Sequence, residues 1–252
     1  MIQDKKFQKI NQDGWNKLVK NNNGFSNTSL PEYGPYMPNE DVLNIFCDIK
    51  DKTVLELGCG SGKSLEYLSK KGAHEVWGLD ISKEQINKAL KLNIKNSKFF
   101  ISEMEVNPGV PFNYFDYVLS LYSVGYSADL EKTLKLCLEY LKSGGKLILC
   151  WTHPIFNCLG VKNGNVYIRR SYLDETKEYI LKGNDKVKLI QNNFKISTII
   201  NLLINIGFEI EKILEENPTN INGIGDYESP YFDERKLKFS PTTLLIIASK
   251  KS

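Results

Sequence analysis

The sequence lacks long apolar runs and paired cysteines. No stretch approaches the roughly 18 apolar residues that a membrane-spanning helix needs, and the opening MIQDKKFQKI is too polar for a signal peptide. The five cysteines, Cys47, Cys59, Cys137, Cys150 and Cys158, include no CxxC pair. This argues against a disulfide framework or a zinc site and favours a reducing compartment. We therefore expect a cytoplasmic protein that holds no metal and does not associate with a membrane.

The chain also lacks a strong charge of either sign. Its 33 basic and 30 acidic side chains leave a formal net charge of +3 over 252 residues. This bias is too small to predict a nucleic acid as a partner. With 41% hydrophobic and 25% charged residues, the composition is that of a globular protein with a sizeable core. Nothing in it fixes an oligomeric state.

What the sequence does contain is an alternation of strand-like and helix-like segments. Strands are predicted at 54–57, 75–80, 99–102, 115–122, 146–151, directly after Gly207, and at 241–250. Helical spacing of apolar residues fills the intervals. Ser82 and Gln85 stand at capping-box spacing before one helix, Gly144 and Gly145 are predicted to end another, and Gly207 is predicted to end the C-terminal helix. Such alternation predicts crossover units and a parallel sheet that is covered by helices on both faces.

These segments predict a single α/β domain over residues 1–252. Residues 1–50 precede the first strand and form an N-terminal cap, and residues 51–151 hold the ligand-binding core. Residues 152–195 form a long insertion after the fifth strand, which is either a lid or a peripheral hairpin. Residues 196–252 supply the C-terminal helix and strands.

Three glycines follow the first strand, in VLELGCGSGKS (54–64). A phosphate-binding P-loop would need GxxxxGK[ST], and Lys63 stands at the wrong distance from Gly58. A nicotinamide-dinucleotide turn needs GxGxxG, whose third glycine would fall at Lys63. The pattern that remains, ExGxGxG on a strand-to-helix turn, either brings a ligand against bare backbone or is a tight turn without a ligand.

Two carboxylates favour a ligand. Asp80 ends the second strand, where it could accept hydrogen bonds from both hydroxyls of a ribose, and Glu103 ends the third strand, near the place of an adenine edge. Ligands of open α/β sheets bind at the carboxyl ends of the strands beside the topological switch point. Both side chains are predicted to lie at that edge.

Together, VLELGCGSG, WGLDIS, FDYVLSLYSVGY and LKSGGKLIL resemble the motifs of the class I S-adenosylmethionine-dependent methyltransferases. The resemblance implies a doubly wound, mostly parallel seven-stranded sheet, S-adenosylmethionine as cofactor and S-adenosylhomocysteine as product. The implied contacts are Glu56 beneath the loop, Gly58, Cys59 and Gly60 along the methionine portion, Asp80 on the ribose, Ile81 on the adenine ring, Glu103 and Met104 at its amino edge, and Ser120 and Leu121 beside the transferred methyl.

Few residues could act as a base, because the chain has only two histidines. His74 lies between a predicted helix and strand, where a structural role is expected. His153 follows the fifth strand in CWTHPIF, on the ligand-bearing edge. It is the candidate general base if the acceptor must lose a proton; a structural histidine that braces the turn at Pro154 is the alternative.

Aromatic residues lie in the cap and at strand ends. Rings around a sulfonium or an amine acceptor gain roughly 0.5–2 kcal/mol each, and simple core packing is the alternative. Among Tyr33, Tyr36, Tyr122 and Trp151, we predict that Tyr36 contacts the cofactor and that Trp151 packs in the core.

These observations predict an enzyme that transfers a methyl group to a small-molecule acceptor by in-line displacement, in which alignment supplies much of the rate. No NPPY tetrad follows the fourth strand, where LSLYSVGY stands, so amino-methylation of nucleobases by that motif is unsupported. A non-catalytic protein that binds S-adenosylmethionine or S-adenosylhomocysteine on the same fold is the main alternative. The acceptor atom stays open.

Overall fold

A computed structural model describes residues 2–21, 31–182, 186–216 and 232–251 of the chain. The helices are α1 (Ile2–Lys20), α2 (Glu40–Leu43), α3 (Lys63–Lys70), α4 (Lys83–Leu90), α5 (Leu130–Tyr140), α6 (Pro154–Cys158) and α7 (Ile196–Ile206), with 3₁₀ turns at Val124–Tyr126 and Glu234–Lys238. The strands are β1 (Thr53–Leu57), β2 (Glu75–Asp80), β3 (Ser97–Ile101), β4 (Phe115–Leu121), β5 (Leu141–Thr152), β6 (Leu159–Lys162), β7 (Asn165–Ile168), β8 (Glu178–Lys182), β9 (Val187–Gln191), β10 (Phe208–Leu214) and β11 (Thr243–Lys250).

Seven strands form one mixed sheet in the order β10-β11-β5-β4-β1-β2-β3. The five strands from β5 to β3 in that order pair in parallel, whereas β11 is antiparallel to both of its neighbours. The predicted mostly parallel, seven-stranded sheet is therefore confirmed. The sheet grows away from β1 in both directions, so the edge above β1 and β4 is the switch point at which such sheets bind ligands.

Both faces of the sheet are buried, as the unbroken apolar runs of its central strands predict. Alternate residues of β1 serve opposite faces. Leu55 belongs to the core that α5 and α7 cover, and Val54 belongs to the core that includes Leu65 of α3 and Ile86 of α4. Full burial of a side chain of this size contributes roughly 1.5–3 kcal/mol, so the central strands hold the site in place.

Two predicted helix signals are confirmed and a third is wrong. Ser82 caps α4 by accepting the backbone N–H of Gln85 at 3.2 Å, and Gly207 ends α7 with φ +113°. The helix predicted to run to Gly144 instead ends at Tyr140. The reason is that Leu141 already pairs with β4, and Gly144 then lies in a register irregularity of β5.

The insertion after β5 contains α6 and two hairpins, β6–β7 and β8–β9. Two hairpins therefore lie within residues 152–195. All five cysteines are free thiols. Among the described helices, none combines the length and the apolar character that crossing a membrane requires.

Candidate functional site

The turn between β1 and α3 contains three glycines with positive φ, and each has a different neighbour. A Cβ on Gly58 (φ +67°) would overlap the side chain of Ser123, and a Cβ on Gly62 (φ +76°) would lie 3.0 Å from the Cβ of Ala89 in α4. A Cβ on Gly60 (φ +53°) would meet no atom closer than 3.8 Å. Gly58 and Gly62 therefore serve packing inside the protein, whereas a Cβ on Gly60 would make only a van der Waals contact with the side chain of Gln85.

Asp80, the last residue of β2, holds this turn in place. Its Oδ2 accepts the backbone N–H of Gly60 at 2.9 Å, and its Oδ1 accepts that of Ser82 at 2.8 Å. Burial raises the pKa of Asp80 to about 6, although both hydrogen bonds oppose the shift. Since each carboxylate oxygen can accept a second hydrogen bond, Asp80 can hold the turn and a ligand hydroxyl together.

Glu56 is the penultimate residue of β1 and is only 3% exposed. Its Oε2 has no hydrogen-bond partner among the described residues. Burial raises the pKa of Glu56 well above its usual range, and the neighbouring charge of Asp80 adds to that shift. A buried polar atom without a partner is rare in folded proteins, and a cationic or hydrogen-bond-donating ligand group at this edge would satisfy it.

A cleft of about 320 Å³ lies beside the ends of β2 and β3. Its lining residues are Gln12, Ile81, Ile101, Ser102, Glu103 and Val106. Gln12 of α1 donates a hydrogen bond to the carbonyl of Ile81 at 3.2 Å, so α1 forms one wall. Burial, followed by the charge of Glu105, raises the pKa of Glu103.

The end of β4 joins the same edge through two serines. The hydroxyls of Ser120 and Ser123 lie 2.7 Å apart, and Ser123 donates to the carbonyl of Leu57 at 2.6 Å. Ser120 and its neighbour Leu121 thus end β4 beside the end of β1. Met104 also lies near the glycine turn, because its methyl group is 3.6 Å from the position that a Cβ on Gly58 would occupy. The structure brings these predicted residues together around one turn.

Cys59 is oriented differently from its two glycine neighbours. A Cβ on Gly78 of β2 would lie 2.6 Å from the sulfur of Cys59. The thiol is therefore packed against the sheet, and its pKa is raised by burial and then by the charge of Asp80.

α1 lies across the sheet edge and is held there by side-chain amides. Asn11 exchanges two hydrogen bonds with the backbone of Ile190 in β9, at 2.9 and 2.8 Å. The side-chain oxygen of Asn16 accepts the hydroxyl of Ser82 at 2.8 Å. α1 therefore connects the end of β2 to the insertion after β5.

A glycine in the middle of α1 permits this contact. Glycine destabilises a helix interior by roughly 0.5–1 kcal/mol relative to alanine. Here a Cβ on Gly14 would lie 2.8 Å from the carbonyl oxygen of Lys188 and would also overlap Leu189. Gly14 lets the helix backbone approach β9 closely.

His153 has both ring nitrogens bound to the protein. Its Nε2 lies 2.8 Å from Glu215, and its Nδ1 accepts the backbone N–H of Ile155 at 3.2 Å and lies 3.1 Å from the hydroxyl of Ser240. Burial lowers the pKa of His153, against the effect of Glu215. His153 caps α6 in this geometry, as the structural alternative expects, and its role as a general base stays a prediction.

The aromatic residues lie on the β5 side of the site. Tyr36 packs in a cluster with Phe156 and Phe232, which Tyr122 joins. Trp151 is buried in the core, as predicted, with its ring centroid 5.6 Å from that of Tyr122. Tyr36 therefore packs against Phe156 of the insertion and Phe232 of the C-terminal region, and its contact with the cofactor stays a prediction.

Sequence reasoning missed the contribution of α1 and of Ser123. The signal for α1 was available, since Gln8, Gln12 and Asn16 recur every four residues and so lie on one helix face. Ser123 carried no comparable signal, because only the fold brings it against Gly58.

Known proteins resemble this chain over the part that contains the site. Residues 55–149 match the family model described as a methyltransferase domain. A protein of Methanocaldococcus jannaschii, provisionally named as a protein N5-glutamine methyltransferase, is 30% identical over 153 residues, which cover 58% of this chain and 77% of the relative. The chain belongs to the class I S-adenosylmethionine-dependent methyltransferases.

Two further methyltransferases resemble the chain, one in sequence and one in fold. The aklanonic acid methyltransferase of a Streptomyces species is 30% identical over 121 residues, 46% of this chain and 54% of that protein. The crystal structure of a protein from Listeria monocytogenes, provisionally named as an S-adenosylmethionine-dependent methyltransferase, superposes with a TM-score of 0.70 at 24% identity, over 84% of this chain and 96% of that one. The predicted family and cofactor, S-adenosylmethionine, are confirmed.

The residues of this methyltransferase fit that cofactor. Gly60 leaves room at the turn, the unpartnered oxygen of Glu56 can take a donor group, and the cleft beside Ile81 and Glu103 is adjacent to Asp80 in sequence and in the sheet.

Proposed function

We propose that this methyltransferase acts on a small-molecule acceptor. The observation that carries the proposal is the cover over the carboxyl edge of the sheet. α1 lies over the ends of β2 and α4, and it meets the insertion through the paired hydrogen bonds of Asn11 with Ile190. A covered edge favours a compact acceptor over a nucleic-acid duplex, and a net charge of +3 supplies little of the attraction that phosphate backbones need.

The names of the relatives offer two acceptor classes. The Methanocaldococcus relative is named for a glutamine side chain of a protein, and the Streptomyces relative for a small organic acid. The covered edge supports the second class. The segment LSLYSVGY at the end of β4, without an NPPY tetrad, agrees with an acceptor that is not a nucleobase amine.

In the proposed arrangement, residues of the β1–β2 edge hold the cofactor. Asp80 would accept hydrogen bonds from the ribose, the backbone of Gly58, Cys59 and Gly60 would lie along the methionine portion, and Glu56 would satisfy its free oxygen with a cofactor donor. Ile81 and Glu103, which line the cleft, would form the adenine side together with Met104.

When bound, S-adenosylmethionine supplies a methyl group on a sulfonium, which is transferred by in-line displacement. The protein contributes alignment, and holding two reactants in the correct geometry accounts for a large part of such a barrier. Ser120 and Leu121 end β4 beside this position, and α1 and the insertion would keep water away from it. Because both nitrogens of His153 are used by the protein, we propose that it positions α6 rather than moving a proton.

A screen with a labelled methyl donor tests the proposal. The full chain is incubated with labelled S-adenosylmethionine and, in separate arms, a library of small molecules, total RNA and a protein extract. We expect label in a small-molecule arm and its loss in the Asp80→Asn variant. Label that enters only RNA or protein would overturn the small-molecule proposal without touching the family assignment.

A further inference from the structure

The loop that follows β3 makes a tight turn with a buried carboxylate in it. The backbone N–H of Val106 donates to the carbonyl of Glu103 at 3.3 Å, and both residues line the cleft beside β2 and β3. Glu105 lies between them in the turn and is only 5% exposed. One turn therefore borders the cleft and also places a carboxylate inside the protein.

Glu105 binds α1 through Gln8. The side-chain amide of Gln8 donates to Oε2 of Glu105 at 2.7 Å, and Gln8 is itself buried. Gln12, four residues further along α1, lines the cleft and donates to the carbonyl of Ile81. Residues four apart lie on the same face of a helix. The bond between Gln8 and Glu105 thus joins the two walls of the cleft, which are α1 and the turn after β3.

The other oxygen of Glu105 binds the loop after β4. Its Oε1 accepts the hydroxyl of Ser127 at 2.7 Å and the backbone N–H groups of Ala128 and Asp129, the last at 3.3 Å. Every group in these contacts, like the amide of Gln8, is a donor. A carboxylate accepts at both oxygens and can therefore use all of them.

The insertion holds the same loop from the other side. Asn192, directly after β9, donates its backbone N–H to the carbonyl of Gly125 at 2.8 Å and its side-chain amide to the carbonyl of Ser127. The loop after β4 is thus fixed between Glu105 and the insertion. Because Leu121 ends β4 just before this loop, the Glu105 carboxylate connects the cleft to the region beside the end of β4.

We infer that Glu105 is a positioning residue for the cofactor: its carboxylate holds α1 at a fixed distance from the turn after β3 and so sets the width of the cleft. The inference rests on the proposed placement of the adenine ring in that cleft. Glu105 acts through Gln8 and α1, since its own side chain is buried away from the cleft lining. A contact that served only to pack α1 could use apolar side chains without the cost of burying a charge.

The test is a calorimetric titration of the full chain with S-adenosylhomocysteine at a temperature well below the melting temperature. Gln8→Leu keeps most of the bulk of the side chain but removes its donor, so α1 loses its bond to Glu105. We expect this variant to bind S-adenosylhomocysteine at least about tenfold more weakly, as for the loss of a hydrogen bond to a charged group. A purely structural role would lower the melting temperature and leave this affinity unchanged.

An exchange of the two side chains tells positioning from a change in bulk. Gln8→Glu alone places two carboxylates in contact, where like charges repel, and should weaken binding as Gln8→Leu does or more. Adding Glu105→Gln restores a pair of amide and carboxylate with donor and acceptor exchanged, and the new amide keeps an oxygen for Ser127 and Ala128. The double variant should therefore recover most of the affinity.

Thr53→Val is the matched control. The hydroxyl of Thr53 is buried and bonds to the carboxylate of Asp116 at 2.8 Å, at the start of β1 and so at the opposite edge of the sheet. This variant should lower the melting temperature about as far as Gln8→Leu does and keep the affinity of the parent. Ile81→Asp tests the placement of the adenine ring itself, because it puts a charge where the ring is proposed to pack, and it should bind S-adenosylhomocysteine far more weakly.

Three results would overturn the inference: parental affinity in folded Gln8→Leu, an equal loss of affinity in Thr53→Val, or no recovery in the double variant. If Gln8→Leu does not fold, hydrogen exchange in the parent decides. Since coupling is reciprocal, S-adenosylhomocysteine should slow exchange of the N–H groups of Ala128 and Asp129, and unchanged rates would overturn the inference. Parental affinity in Ile81→Asp would instead count against adenine in the cleft, and failure of the parent to bind would count against the cofactor site.

Discussion

Replacing Gly58 and Gly60 of the β1–α3 turn with alanine, one at a time, should separate the effect on packing from the effect on ligand binding. An alanine in the left-handed region costs about 1–2 kcal/mol, and this cost applies at Gly58 and at Gly60, with φ +67° and +53°. At Gly58 the new methyl also overlaps Ser123, and overpacking adds about 1–3 kcal/mol. The total is therefore about twice as large at Gly58 as at Gly60.

Thermal unfolding and S-adenosylhomocysteine titration together measure the two effects. In a chain of this size, 1 kcal/mol corresponds to a melting-temperature shift of about 2–4 °C. We expect Gly60→Ala to melt about 2–8 °C below the parent and to bind S-adenosylhomocysteine at least about tenfold more weakly, since its methyl enters the ligand space. Gly58→Ala should melt lower still.

Gly164→Ala is the matched control. Gly164 has φ +80° in the β6–β7 turn, and a Cβ there would meet only the guanidinium of Arg235 at 4.0 Å. This variant should lose as much stability as Gly60→Ala and bind S-adenosylhomocysteine as the parent does. The reasoning is refuted if folded Gly60→Ala keeps the affinity of the parent, or if Gly58→Ala is as stable as Gly60→Ala.

Three further residues, Asp80, His153 and Gly14, give testable predictions. Because burial raises the pKa of Asp80 to about 6, calorimetric affinity for S-adenosylhomocysteine should rise between about pH 5 and 7 in the parent and stay flat in Asp80→Asn. The folded state binds the proton of the Asp80 carboxyl more tightly than the unfolded state. The free energy of unfolding of the parent, relative to that of Asp80→Asn, should therefore fall as the pH rises from about 4 to 6. A difference between the two free energies that does not change with pH would contradict the raised pKa of Asp80. His153→Ala should lower the free energy of unfolding by about 1–3 kcal/mol in a denaturant titration and change kcat less than about twofold. A decrease in kcat of about 10²-fold or more would show that His153 acts as a general base. Gly14→Ala should speed hydrogen exchange in α1 and release of S-adenosylhomocysteine, although alanine favours a helix; unchanged rates would mean that the helix does not depend on its close contact with β9. Lys9→Ala, at an exposed position of α1, is the control for that variant.

The central sheet was predictable because its strands are buried on both faces and therefore read as unbroken apolar runs. EVWGLD was placed at 75–80, where β2 lies, and Gly207 was placed at the end of α7. The limits of β5 were not predictable in the same way. Whether Leu141 continues a helix or opens a strand is decided by pairing with β4, which local sequence does not specify.

The position of a candidate-site residue was predictable where a local motif fixes it, and less so where tertiary contacts decide. Asp80 lies at the turn, as expected. The pattern ExGxGxG could not tell Gly60, where a Cβ would fit without overlap, from Gly58, where it would overlap Ser123. For His153, the partners are Glu215 and Ser240, which are remote in sequence, and nothing near CWTHPIF indicates them.

The hydrogen bonds between α1 and β9 also bear on the order in which the molecule is made. Asn11 and Ile190 are separated by 179 positions, and ribosomes add about 5–20 residues per second. On the order of ten seconds or more must therefore pass between the emergence of the helix and that of its partner strand. During this interval β1, β2 and the glycine turn are already available to fold, while the amides of Asn11 are exposed to water. A nascent chain can thus form the strands and the turn of this edge early, but α1 can close the edge only after Ile190 has been made.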